Sequence, residues 1–170
     1  IIPQRCDVAF CCLGTTMKKA GSKEAFLKVD LEMVTDFAKR VKAAGVNRFA
    51  VVSSIGANPE SSNFYLRTKG QAEEQLKMLG FELLAILRPS LLLGKRGEKR
   101  FGEDLGKAMY SIFKFLLVGS LRKYRGIQAE VVAKAMILLS ENEKGTITVE
   151  SNELALLSYS CNDQCRQARK

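Results

Sequence analysis

A chain of 170 residues with 46% hydrophobic and 26% charged content has the make-up of one globular domain with room for a substantial core. Its net charge of +9 suits anionic partners in general, but the basic residues are scattered, apart from Leu121–Arg125. No nucleic-acid-reading motif accompanies them, so nucleic acid is not an expected partner. The longest apolar stretch, around Ile112 to Val118, is too short to span a bilayer and is broken by Lys114, which excludes a membrane span there.

The five cysteines divide into Cys6, Cys11 and Cys12 on the first strand and Cys161 and Cys165 near the end. Adjacent Cys11 and Cys12 point to opposite faces of a strand and read as small core residues. Cys161 and Cys165 stand alone, without a histidine anywhere in the chain, so no metal site is expected. A reducing, cytoplasmic location follows as the default.

In chain order, Asp7 to Thr16 is an apolar run closed by Gly14 and two hydroxyls, a parallel-sheet strand with a loop at its carboxyl end. Lys18 to Ser22 reads as a polar turn, with Ser22 as N-cap of the helix that follows. On that helix Phe26, Val29, Met33, Val34, Phe37, Ala38, Val41 and Ala44 form the apolar stripe, and Gly45 ends it. Arg48 to Ser54 is the second strand, and Asn58 to Asn63 is a loop by composition. A second helix carries Tyr65, Lys69, Ala72, Leu76 and Leu79 and stops at Gly80. Phe81 to Leu87 is the third strand, followed by Arg88-Pro89. A charged loop, a helix from about Glu103 to Leu117 and the basic turn come next. A helix from Ala129 to Ser140 and a strand from Thr146 to Glu150 complete the pattern. Residues 1–157 form the domain, and 158–170 read as a poorly ordered tail.

Strands alternating with helices predict a doubly wound α/β fold whose ligands sit beyond the carboxyl ends of a parallel sheet. Those ends carry Gly14-Thr15, Ser53-Ser54 and Arg88-Pro89. Tyr65 and Lys69, four residues apart, share one face of a helix. An ammonium beside a phenol favours its ionised form, which suits proton exchange with a carbonyl or alcohol. Ser54 adds a hydroxyl to hold the substrate oxygen, while Ser53 reads equally as a strand-end residue bonded to backbone.

A serine at one strand end, Tyr-x-x-x-Lys at a helix start and Arg-Pro after the next strand resemble the atypical short-chain dehydrogenase/reductases. The stretches Val52-Ser53-Ser54-Ile55-Gly56-Ala57, Ser61-Ser62-Asn63-Phe64-Tyr65-Leu66 and Arg88-Pro89-Ser90-Leu91-Leu92-Leu93-Gly94 are similar to the HIV Tat-interactive protein oxidoreductases. The likeness runs from about Asp7 to Leu154. It implies a Rossmann-like sheet and an NADP or NAD cofactor, with NADP favoured. By position it makes Tyr65 the proton donor and acceptor. Lys69 becomes the partner of Tyr65 and of the nicotinamide ribose, and Ser54 the holder of the substrate oxygen. Leu13 and Gly14 would line the middle of the dinucleotide, Leu92 would pack near the nicotinamide, and Arg100 would reach a cofactor phosphate. The implied substrate is a small carbonyl or alcohol compound.

The chain departs from that family at its start. Only six residues precede Asp7 and the first is not Met, so the first strands and the glycine-rich phosphate loop are missing. This predicts an N-terminally truncated reductase domain with an open apolar strand edge. It also leaves the choice between NAD and NADP to residues not present. The alternatives are a non-catalytic regulatory module that binds a protein partner on the same fold, and a nucleotide-sugar epimerase or dehydratase.

Overall fold

The computed structural model describes residues 6–93 and 126–157. Among them, four parallel strands form one sheet in the order β1 (Val8–Cys11), β2 (Arg48–Val52), β3 (Leu83–Arg88) and β6 (Gly145–Glu150). A second, two-stranded parallel ladder joins β4 (Leu92–Leu93) to β5 (Ile127–Gln128). The expected helix from Glu103, the Leu121–Arg125 turn, Arg100, Cys161 and Cys165 lie outside the described residues.

Because side chains alternate across a strand, β2 and β3 feed two cores. Phe49, Val51, Leu84 and Ile86 point to one face, where they meet Val34, Ala38 and Val41 of α3 (Val34–Ala43) and Leu76 of α4 (Phe64–Lys77). Ala50, Leu83, Ala85 and Leu87 point to the other, against Val132, Ala135, Met136 and Leu139 of α5 (Ala129–Asn142) and Leu154 in a final helix over 151–157. Helices on both faces of a parallel sheet make the layout doubly wound, as the alternation of elements predicts. Each fully buried Leu or Ile contributes about 1.5–3 kcal/mol.

At the β1 edge the covering is partial. Ala9 and Cys11 join the first core, whereas Phe10, facing the α5 side, is 44% exposed. Strand β1 ends at Cys11, so Cys12 already belongs to the loop and is exposed rather than a core residue. The stretch expected as a turn after it contains a short helix, α1 (Met17–Ala20), because Thr16 caps it by accepting the Lys19 N–H at 3.2 Å. Ser22 caps α2 (Lys23–Leu27) in the predicted way, through the Ala25 N–H.

Between α2 and α3 the helix departs from the predicted stripe. Lys28–Met33 is π-helical, and its wider turn steps the buried positions by four, through Phe26, Asp30, Val34 and Ala38. Asp30 lies on the inner face with Phe26 and Val34, and Met33 is turned outward to 47% exposure. The Thr35 hydroxyl fills the widened turn, within hydrogen-bond reach of the Leu31 and Glu32 carbonyls at 2.9 and 3.1 Å.

Helix α4 is fixed to the sheet by a polar network and by close backbone contact. Glu73 is almost fully buried on its inner face. Its Oε1 accepts from the Ser53 hydroxyl at 2.5 Å and from Arg88 Nε at 3.0 Å, and its Oε2 accepts from the second guanidinium nitrogen at 2.5 Å. One carboxylate thus ties α4 to the ends of β2 and β3, a bidentate arrangement that arginine geometry favours. A turn earlier, Gly70 lies directly under the loop after β2. A Cβ there would come within 2.3 Å of both the Asn58 carbonyl carbon and the Pro59 nitrogen.

Two predictions follow from this clamp. Gly70→Ala forces loop and helix apart and should cost about 3 kcal/mol, read as a lower urea midpoint; an unshifted midpoint contradicts the close approach. Glu73→Ala strands a half-buried guanidinium and should also cost about 3 kcal/mol, whereas Ser53→Ala should cost only about 1 kcal/mol. Equal losses for the two would contradict the central role of the carboxylate.

Candidate active site

The parallel sheet presents all its carboxyl ends at one edge, and the loop after β1 and the start of α4 converge there. They enclose a cavity of about 220 Å³ lined by residues 12–16 and by Lys19, Asp30, Val52, Ser53, Tyr65, Lys69 and Leu92. Five of the residues singled out from the sequence are thereby brought together: Leu13 and Gly14 from the β1 loop, Tyr65 and Lys69 from α4, and Leu92 from β4. Ser54 is not among the lining residues; it is half-buried, with its hydroxyl 3.4 Å from the Ile55 carbonyl. Ser53 does line the cavity, and its hydroxyl is given to Glu73.

Tyr65 is held through its ring. It packs against Phe26 of α2 with centroids 5.7 Å apart and planes tilted by 54°, an edge-biased contact of the kind aromatic pairs prefer. Asn63 caps α4 by accepting the Leu66 N–H at 3.2 Å, which sets where the helix begins and hence the turn on which Tyr65 and Lys69 fall.

Lys69 is only 7% exposed, and its Nζ lies 2.7 Å from Asp30 Oδ1. The other oxygen of that carboxylate, Oδ2, accepts the Thr15 backbone N–H at 2.8 Å. Gly14 passes close above the pair: a Cβ on it would stand 3.3 Å from Asp30 Oδ1 and 3.5 Å from Lys69 Nζ. A glycine here is a matter of space for the backbone to approach two charged groups.

Asp30 was not foreseen from the sequence, nor was Glu73. For Asp30 the available signal is its spacing: four residues after Phe26 and four before Val34, a polar residue set into an apolar seam. For Glu73 it is the repeat Tyr65, Lys69, Glu73 on one helix face. Arg88, expected as a cation on the ligand rim, instead spends its guanidinium on Glu73, whose hydrogen bonds hold its pKa above the ordinary arginine value. Burial pushes the thiols of Cys11 and Cys12 above the usual cysteine range, so neither supplies a ready thiolate near neutral pH. Among the described residues no group of His, Cys, Asp and Glu is arranged to hold a metal ion, and no helix is long and apolar enough to cross a membrane.

No family model matches the chain. It is 43% identical over 104 residues to the protein HTATIP2 of Rattus norvegicus, a match covering 61% of this chain and 43% of that protein. To the Candida albicans protein named FMP52, mitochondrial, it is 35% identical over 163 residues, covering 92% of this chain and 70% of that protein. The chain thus spans less than half of the rat relative. Among solved structures, RMD of Pseudomonas aeruginosa, complexed with NADPH, superposes with a TM-score of 0.62 at 18% identity, over 92% of this chain and 65% of that one. At that identity the likeness speaks for the fold, which is Rossmann-like. The mitochondrial names of the FMP52 relatives overturn the cytoplasmic location expected from cysteine usage; free thiols do not distinguish one reducing compartment from another. With more than two thirds of the Candida protein aligned, the chain belongs to the family of FMP52 and HTATIP2.

Proposed function

We propose that this chain carries the catalytic portion of an NAD(P)-dependent oxidoreductase of the short-chain dehydrogenase/reductase type, acting on a carbonyl or alcohol compound. The observation that carries this reading is the meeting of Tyr65, Lys69, Leu13 and Gly14 around one cavity at the carboxyl ends of the strands. The volume of about 220 Å³ is below the roughly 300–1,000 Å³ of a pocket for a drug-sized ligand. It suits the nicotinamide–ribose end of a dinucleotide rather than the whole molecule. The close pass of Gly14 over the Asp30–Lys69 pair fits a site in which backbone and charged groups together meet ribose hydroxyls.

A bound nicotinamide dinucleotide supplies the hydride. The work left to the protein is to hold the substrate and to move one proton. In this reading the Tyr65 hydroxyl gives a proton to the substrate oxygen as a carbonyl is reduced, and takes it back in the reverse direction. The Lys69 ammonium, on the next turn of α4, stabilises negative charge on the phenol oxygen during transfer and donates to the ribose hydroxyls. Leu13 and Leu92 offer apolar surface to the ring. Ser54 holds the substrate oxygen; the long 3.4 Å contact of its hydroxyl with the Ile55 carbonyl is readily exchanged for a better acceptor. Arg100 remains part of the same reading as a phosphate contact. NADP is the cofactor we favour.

The test is Tyr65→Phe in the intact protein, assayed by NADPH and NADH oxidation against a panel of aldehydes, ketones and quinones. Loss of the phenol should lower kcat by about 10²–10⁴-fold and leave dinucleotide binding, followed by nicotinamide fluorescence, unaltered. Undiminished turnover would remove Tyr65 from the mechanism, and absence of binding to either dinucleotide would end the oxidoreductase reading.

A further inference from the structure

We infer that Asp30 is a positioning residue of this site, holding the Lys69 ammonium and the Gly14–Thr15 loop in one fixed unit. The inference rests on the oxidoreductase reading for its consequence, though not for its geometry. Asp30 is fully buried; its Oδ1 forms an ion pair with Lys69 Nζ at 2.7 Å without the alignment of a hydrogen bond, and its Oδ2 accepts the Thr15 N–H at 2.8 Å. One carboxylate therefore joins three separate pieces of chain, the loop after β1, the π-helical segment and α4.

The chemistry of the pair explains why this matters. An ammonium with four single bonds of freedom can point in many directions, and desolvation penalises it wherever it lacks a counter-charge. Asp30 supplies the charge and selects one direction. Lys69 has three N–H donors; the carboxylate takes the inner side, and both residues line the cavity. The N–H donors of Lys69 are those a ribose hydroxyl in the cavity would meet. Asp30 stands four residues after Phe26, which puts it on the same inner face even of a regular 3.6-residue helix. The π-helical turn keeps that seam running to Val34, which a regular helix would carry about 80° round from Phe26, and turns Met33 outward. Tyr65, by contrast, is oriented by its ring contact with Phe26, so the phenol and the ammonium are set by two different residues of the same α2–π segment.

This predicts two linked effects in Asp30→Asn, which keeps shape and removes charge. The rate at which acetic anhydride labels Lys69 in the folded protein, read by peptide mass spectrometry, should rise about tenfold, and affinity for NADPH should fall about tenfold. A role confined to stability would lower the melting temperature while leaving both quantities, measured below it, unchanged; that result overturns the inference. Should the variant fail to fold, hydrogen exchange of the Thr15 amide in the unaltered protein decides the matter. Slow exchange supports the bond to the buried carboxylate, and exchange at the rate of a free loop overturns it. If the unaltered protein binds neither NADPH nor NADH, the oxidoreductase reading falls by itself. Lys69 labelling and Thr15 exchange still decide whether Asp30 holds the unit together.

Discussion

A buried ammonium requires a counter-charge, and in this protein that requirement is met at one point. Lys69 is 7% exposed with Asp30 at 2.7 Å, and breaking such a pair by removing one member costs about 3–5 kcal/mol. The constraint spreads outward from there. Asp30 reaches inward on the same helix face as Phe26, four residues before it. The loop after β1 can lie over the pair because Gly14 has no side chain. Thr15 can close against the carboxylate because its N–H is free of any strand ladder. The cavity is the space left when these conditions hold together.

The second carboxylate on the same helix face plays a complementary part. Glu73 binds Ser53 and Arg88, so the sheet end of α4 is tied to two strands while its beginning is tied to the α2–π segment. The helix that carries Tyr65 and Lys69 is therefore held at both ends of its buried face. Gly70, pressed against Asn58 and Pro59, leaves it no freedom to slide between those ties. Rigid support of this kind is what a site needs if reacting groups are to be held to within a fraction of an ångström.

Much of this was legible in the sequence because period and composition agreed. The strand runs, the Ser22 cap, the α4 helix and the parallel layout all follow from local residues; it was the family resemblance that put Leu13, Gly14, Tyr65, Lys69 and Leu92 in one site, together with Ser54, which the cavity lining does not include. What escaped were features set by long-range pairing. A 3.6-residue period puts Met33 inside, and the π-helical turn gives its place to Val34; Asp30 falls on the inner face either way, but its partner Lys69 lies 39 residues on, on another element. Arg88 looked like a rim cation because its partner, Glu73, lies 15 residues earlier on another element. Cys12 looked like core because the strand ends two residues sooner than its apolar run. The location inferred from thiols failed for a different reason, since no packing argument connects free cysteines to one compartment; the mitochondrial names came from relatives.

The chemistry of this site depends on where a nicotinamide ring would lie relative to α4. A crystal structure of the intact protein grown with NADPH measures this directly. It should show the nicotinamide ribose within hydrogen-bond distance of Tyr65 and Lys69, Leu13 and Leu92 against the ring, and Asp30 still paired behind Lys69. A dinucleotide seated away from this cavity, or a Lys69 ammonium turned from Asp30 toward solvent, would contradict it.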